Sequence, residues 1–215
     1  MRIVVAGGHG KIALLLEKLL SERGDSVAGL IRNPDHAADL EAAGAESIVL
    51  DLEKATLDEV TAHLRGADAV VFAAGAGPGS GAARKETVDR DAAILLADAA
   101  EAAGVRRYLM VSAMGANPAA AEDAADDEVF VAYLRAKGAA DDYLAAKRGF
   151  DTTIVRPGML TDDPGTGRVQ IAESTGRGSI PRADVAAVLV AALDTGGSRT
   201  FELISGDTPI DEALA

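Results

Sequence analysis

The chain has no cysteine and no tryptophan, and aromatic residues make up only 3% of it. Without cysteine there are no disulfides and no thiolate metal ligands, a composition compatible with a reducing compartment. With so few rings, the core must be filled mainly by Ala, Val, Leu and Ile. Histidine is scarce as well. His9, His36 and His63 fall at no ligand spacing, so no metal site is expected. Positive charge is in deficit, with 21 Lys and Arg against 34 Asp and Glu and a formal charge of −13. So acidic a surface repels phosphate backbones and anionic lipid, which argues against nucleic-acid or membrane partners. Any anionic ligand needs a local positive site. No apolar run approaches the roughly 20 residues of a spanning helix. A strand pattern already begins at residue 2, so no leader is expected there, and a cytoplasmic location is the expectation.

What is present is a regular alternation. Across 215 residues, 48% of them hydrophobic, β-rich runs occur at 2–6, 26–31, 46–50, 68–74, 107–112, 152–156 and 200–204. They are continuously apolar rather than alternating, as expected when helices cover both faces of a sheet. Between them lie longer helical stretches, most of them closed by glycine. The pattern predicts an α/β protein: a doubly wound (Rossmann) parallel sheet of about seven strands in one domain over 1–215, with a small substrate lobe. Two segments break the rhythm, the acidic 116–128 and the Gly- and Thr-rich 157–180. Both follow strands, which puts them at the carboxyl edge where ligands bind in this architecture.

The first turn carries the strongest motif. Gly7, Gly10 and Ala13 have the spacing G-x-x-G-x-x-A between the first strand and the first helix. Gly7 allows the tight turn, Gly10 lets a pyrophosphate approach the backbone, and Ala13 lets the helix pack closely. The helix N-terminus at Lys11 and Ile12 offers free N–H groups and a partial positive charge. His9 in the loop and the Lys11 ammonium are further phosphate candidates.

At the end of the second strand an acid would accept the 2′-hydroxyl of NAD, whereas an arginine suits the 2′-phosphate of NADP. The sequence there is LIRNP, with Arg32 at the strand end and no acid, so NADP(H) is favoured over NAD(H). Asp51 and Leu52 after the third strand can bracket an adenine. Ala73, Ala74 and Gly75 after the fourth are small enough for the dinucleotide to lie close.

One helix repeats a pattern, Tyr133-Leu-Arg-Ala-Lys137 and Tyr143-Leu-Ala-Ala-Lys147. Each Tyr–Lys pair shares a helix face. Ten residues separate the pairs by about 15 Å along the axis and roughly 80° around it, so only the first can lie beside the carboxyl edge. Lys147, Arg148 and Gly149 also read as a basic last turn with a glycine stop, a structural role. Gly138, after Lys137, costs about 1 kcal/mol relative to alanine inside a helix. Close packing there, beside the cofactor, would offset it. Ser112 ends the fifth strand and faces the same edge. An ammonium within about 4–6 Å lowers a phenol pKa, so Tyr133 with Lys137 reads as a tuned acid/base. Ser112 would hold the substrate oxygen and Lys137 the nicotinamide ribose.

With GGHGKIA, LIRNP, LDL, FAAGAG, VDRDAAILLADAAEAAGVRRYLMVSAMGA, YLRAK and IVRPGMLTDDPGTG, the chain resembles the short-chain dehydrogenase/reductase superfamily. It looks most like the small atypical branch of NmrA-like and flavin/biliverdin-reductase-like NAD(P)H-binding proteins. The resemblance implies Ser112, Tyr133 and Lys137 as catalytic residues, and Pro157 and Gly158 as the turn facing the nicotinamide. Asp89 falls where many relatives carry a structural asparagine. An oxidoreductase acting on a small carbonyl, quinone or flavin-like molecule is implied. A non-enzymatic NADP(H) sensor and a small-substrate epimerase or dehydratase are the alternatives. The resemblance also implies a homodimer through the helices at 84–103 and 128–148.

Overall fold

The computed structural model describes residues 1–77, 79–121 and 127–215. Seven strands run parallel: β1 (Arg2–Ala6), β2 (Ser26–Ile31), β3 (Glu46–Val49), β4 (Ala69–Phe72), β5 (Arg107–Val111), β6 (Asp151–Pro157) and β10 (Arg199–Ser205). Their order across the sheet is β3-β2-β1-β4-β5-β6-β10. The order reverses between β1 and β4, which opens a crevice at their carboxyl ends. These seven are the runs read from sequence.

The 157–180 segment is more regular than expected. It contains β7 (Met159–Thr161), β8 (Arg168–Ala172) and, at its end, β9 (Ser179–Pro181). β8 pairs antiparallel with β10, and β11 (Thr208–Pro209) pairs with β8, so the main sheet has nine strands rather than seven. β7 and β9 form a separate two-stranded sheet. These strands have two to five residues among turn-formers and lack the long apolar run that made the others legible.

Alternation along each strand divides the core into two layers. On one face, Ile3 and Val5 pack with Leu16 and Leu20 of α1 (Lys11–Glu22) and with Val185 and Leu189 of α7 (Arg182–Thr195). On the other, Val4, Ala6 and Phe72 pack with α3 (Leu57–Leu64), α5 (Ala92–Ala103) and α6 (Glu128–Ala146). Each fully buried Leu or Val contributes about 1.5–3 kcal/mol relative to exposure. The helix ends follow local chemistry. Thr56 and Glu59 form a capping box on α3, Asp127 caps α6, and α5 stops at Gly104 in the left-handed region.

Immediately before α5, residues Lys85–Asp91 form a π-helix that turns Lys85, Val88 and Asp89 inward. Such segments are rare and concentrate at functional sites. The described part of 116–128 lies against α6. Asn117 N–H donates to the Leu134 carbonyl, Arg135 to that of Ala120, and Ala120 is buried beside Val131 and Leu134. Residues 122–126 of that segment lie outside the described residues. No helix among the described residues is long and apolar enough to cross a membrane.

Candidate coenzyme and active site

The crevice holds a cavity of about 270 Å³ at the carboxyl edge of β1, β2 and β4. Gly7, His9 and Gly10 line it from the first turn, and Arg32 from the end of β2. Asp51 and Leu52 line it after β3, and Ala73, Ala74 and Gly75 after β4. Nine of the expected coenzyme residues therefore meet in one space, although they come from four separate segments.

The turn is built as the motif requires. Gly7 sits at φ +80°, and a Cβ there would lie 2.6 Å from the Ala74 Cα, so only glycine fits. Gly10 N–H closes the turn onto the Gly7 carbonyl at 2.8 Å. Gly10 is the N-cap of α1 and no side chain caps that terminus, which suits a phosphate acceptor.

At the other end of the cavity Arg32 is exposed and lies 3.6 Å from Glu53. Glu53 also takes a 2.7 Å ion pair from Arg84, which lines the cavity too. Arg84 and Glu53 carry no motif in the sequence: Glu53 directly follows Asp51 and Leu52, and Arg84 stands just before the π-helix, so only the fold shows that they meet. Across the loop the His9 and His36 rings stack with centroids 3.5 Å apart, and His9 Nε2 is 2.7 Å from Asp39.

The remaining expected residues lie outside this cavity. Lys11 pairs with Asp162, and Ile12 is buried in the core layer beneath α1. The Pro157 carbonyl accepts from Met114 N–H, and Gly158 donates to the Leu203 carbonyl. A Cβ on Gly158 would meet the Gly178 carbonyl at 2.4 Å, so its small size serves the contact between strands β7 and β9.

Tyr133, Lys137 and Asp141 share one face of α6, four residues apart. Lys137 is only 3% exposed, and its ammonium donates to the carbonyls of Val111 (3.0 Å) and Ala74 (3.3 Å). It also lies 3.5 Å from Asp89, itself fully buried. Ser112 Oγ donates to Asp141 Oδ2 at 2.8 Å, and Arg156 Nε donates to the same oxygen. Burial pushes the Asp141 carboxyl above its usual range, opposed by Ser112, Arg156 and Lys137. Asp141 was legible in principle, because it stands one turn beyond Lys137.

Tyr133 is half-buried, with the Lys85 ammonium 5.4 Å from its ring centroid and the Phe130 ring beside it. Burial raises its pKa above the ordinary phenol value, and the carboxylates of Asp89 and Asp141 add to that. The direction is opposite to the lowering expected from Lys137. Burial lowers the Lys137 pKa, opposed by the same two carboxylates.

The second pair lies elsewhere. Tyr143 and Lys147 both bind Asp98 of α5, and Lys147 also binds Glu101. Gly138 owes its place to the chain after β5, where a Cβ would lie 2.4 Å from Asn117 and Pro118 backbone atoms.

One further group was missed. Glu17 of α1 is fully buried with both carboxyl oxygens unpartnered, and its Oε1 abuts Gly8 and Gly29 under the turn. Burial pushes its pKa up to about 8.

A crevice at the point where the strand order reverses and a phosphate-ready helix end define a dinucleotide-binding protein of the Rossmann type. Residues 7–196 match the profile of the NAD(P)H-binding family, and the chain belongs to that family. It is 39% identical to a Bacillus subtilis protein named as an uncharacterized sugar epimerase, across 100% of this chain and 99% of that protein. A solved Bacillus halodurans structure, provisionally described as an NAD-dependent epimerase/dehydratase, superposes with a TM-score of 0.89. It is 35% identical and covers 100% of this chain and 98% of its own. An anaerobilin reductase from Escherichia coli O157:H7 is 25% identical with a TM-score of 0.79, covering 96% of this chain and 98% of its own.

Proposed function

We propose that the chain is an NADP(H)-dependent oxidoreductase acting on a small carbonyl, quinone or flavin-like compound, with Tyr133 as proton donor. The observation that carries this reading is the single cavity in which Gly7, Gly10, Arg32, Asp51 and Ala74 converge. In it the α1 terminus and Gly10 would hold the pyrophosphate, and Asp51 and Leu52 the adenine. Arg32 and Arg84 would take the 2′-phosphate. Both guanidiniums reach the Glu53 carboxylate, and a phosphate competes with Glu53 for their planar forks.

The bound coenzyme supplies or accepts the hydride. Tyr133, neutral at physiological pH as an ordinary phenol is and held more firmly so by burial, supplies the proton to the oxygen that gains charge. The test is oxidation of NADPH across a panel of quinones, flavins and small aldehydes or ketones. Tyr133→Phe should bind coenzyme as the parent does and lose turnover; equal turnover refutes the assignment.

A second reading, a binding protein that senses NADP(H), is favoured by one observation. Ser112 and Lys137 are both engaged with protein partners. It predicts tight coenzyme binding with no NADPH oxidation anywhere in the panel.

A further inference from the structure

We propose that the stacked rings of His9 and His36 make coenzyme binding proton-linked: the pair takes up one proton as the coenzyme binds, and the imidazolium so formed holds a coenzyme phosphate at the mouth of the crevice. This rests on the reading of the crevice as the coenzyme site. It adds to that site a pH dependence and a residue, His36, that the sequence motifs do not indicate.

The two imidazoles come from separate segments. His9 stands in the first turn, directly before the N-cap of α1 at Gly10. His36 ends a short 3₁₀ turn at Pro34–His36, ahead of α2 (Ala37–Ala42). Both are half-buried, and both line the cavity together with Arg32. Their planes lie 15° apart at a centroid separation of 3.5 Å. His9 Nε2 is 2.7 Å from Asp39 Oδ2 of α2. A carboxylate only accepts, so Nε2 carries the hydrogen.

In a neutral His9 the other nitrogen, Nδ1, is then a bare lone pair, which repels a phosphate oxygen. Protonated, Nδ1 donates to that oxygen and brings a positive charge. An anion arriving here therefore favours the protonated ring, and imidazole is the side chain that changes charge between about pH 5 and 8. Asp39 favours that charge on His9. The stacking limits the pair to one proton, because two imidazoliums at such a separation repel.

The other charged groups around the pair are Asp35 on the 3₁₀ turn, Arg32 at the end of β2, Lys11 at the start of α1 and Glu17 beneath Gly8. Arg32 is paired with Glu53 and Lys11 with Asp162. Arg84 and Asp51 stand across the cavity. Because the complex holds one proton more than its free partners, affinity rises as pH falls through the imidazole range and levels off on either side.

The test is calorimetric titration with NADP⁺ and with NAD⁺. Buffers of different ionisation heat count the protons taken up at pH 7, and runs at pH 6 and 8 read the affinity. The parent should take up roughly half a proton and lose about tenfold in affinity from pH 6 to pH 8. The double variant His9→Asn/His36→Gln should lose both effects, and His63→Gln on α3 should keep them. The 2′-phosphate's own titration is common to parent and variant, so their difference counts the histidine proton alone. Asp39→Asn, exposed and outside the turn, should move the fall in affinity to lower pH. Histidine-dependent uptake with both coenzymes assigns the pyrophosphate; uptake with NADP⁺ alone assigns the 2′-phosphate. No uptake in the parent, or uptake kept by the double variant, overturns the proposal. So does uptake lost in Glu17→Gln but kept in the double variant, which would place the proton on the carboxyl beneath the turn. Heat without histidine-dependent uptake sinks this proposal alone, whereas no heat with either coenzyme sinks the reading of the crevice as well.

Discussion

Replacing Glu17 with glutamine should change how stability depends on pH. Glu17 is fully exposed in the unfolded chain, with a pKa near 4.5, and held at about 8 when buried under the Gly8 turn. Between those values the native state binds one proton more than the unfolded state. Stability therefore falls as pH rises, by about 1.4 kcal/mol per pH unit for this group. Below the unfolded value both states are protonated and the contribution is constant. Above about 8 both are ionised and the loss levels off. Glu17→Gln keeps the shape and removes the proton. From pH 5.5 to 7.5 the variant should gain on the parent by roughly 3 kcal/mol, whatever its offset from the unpaired amide. Urea unfolding at several pH values measures this. Curves that stay parallel across the range would refute the reasoning, because a partnered or hydrated Glu17 would not carry such a linkage.

Other substitutions test the packing and charge assignments. Gly138→Ala, stabilising in an ordinary exposed helix, should cost about 1–3 kcal/mol here because its Cβ meets the Asn117–Pro118 backbone; a raised Tm would contradict that contact. Asp89→Ala should cost about 3–5 kcal/mol in urea unfolding, since it leaves Lys137 buried without its counter-charge. Adding Lys137→Met should recover a large part of that loss. Tyr143→Phe should leave coenzyme affinity and turnover unchanged, because its hydroxyl binds only the exposed face of α5 at Asp98.

The parts of the molecule legible in the sequence are those governed by local rules. RIVVA, DAVVFAA and TTIVR read as strands because each is buried on both faces, and GGHGKIA reads as a phosphate turn because Gly7 and Gly10 solve a local steric problem. Their meeting in one cavity follows from the parallel order of the sheet. The groups that sequence reasoning passed over act across long separations. Lys85 reaches Tyr133 from a π-helix that no residue between Lys85 and Asp91 announces, and Asp89, read from the resemblance as a structural position, meets Lys137 from the same segment. Arg84 and Glu53 become neighbours only once β3 and β4 are in register with the sheet. Glu17 sits in the heart of an amphipathic helix, where a carboxyl would be assigned to the wet face. Lys137 shows the converse. Its spacing from Tyr133 is right for a shared face, and the burial that brings it inward also hydrogen-bonds its ammonium to the Val111 and Ala74 carbonyls, 3.5 Å from Asp89.

The most direct measurement is calorimetric titration of the protein with NADP⁺ and with NAD⁺, repeated on Arg32→Ala. If the guanidiniums of Arg32 and Arg84, which line the cavity beside Glu53, take a 2′-phosphate as proposed, NADP⁺ should bind at least about tenfold more tightly, a difference of about 1.4 kcal/mol, and Arg32→Ala should remove most of that margin. Absence of heat with both coenzymes, or equal affinities in the parent, would contradict the assignment of the crevice.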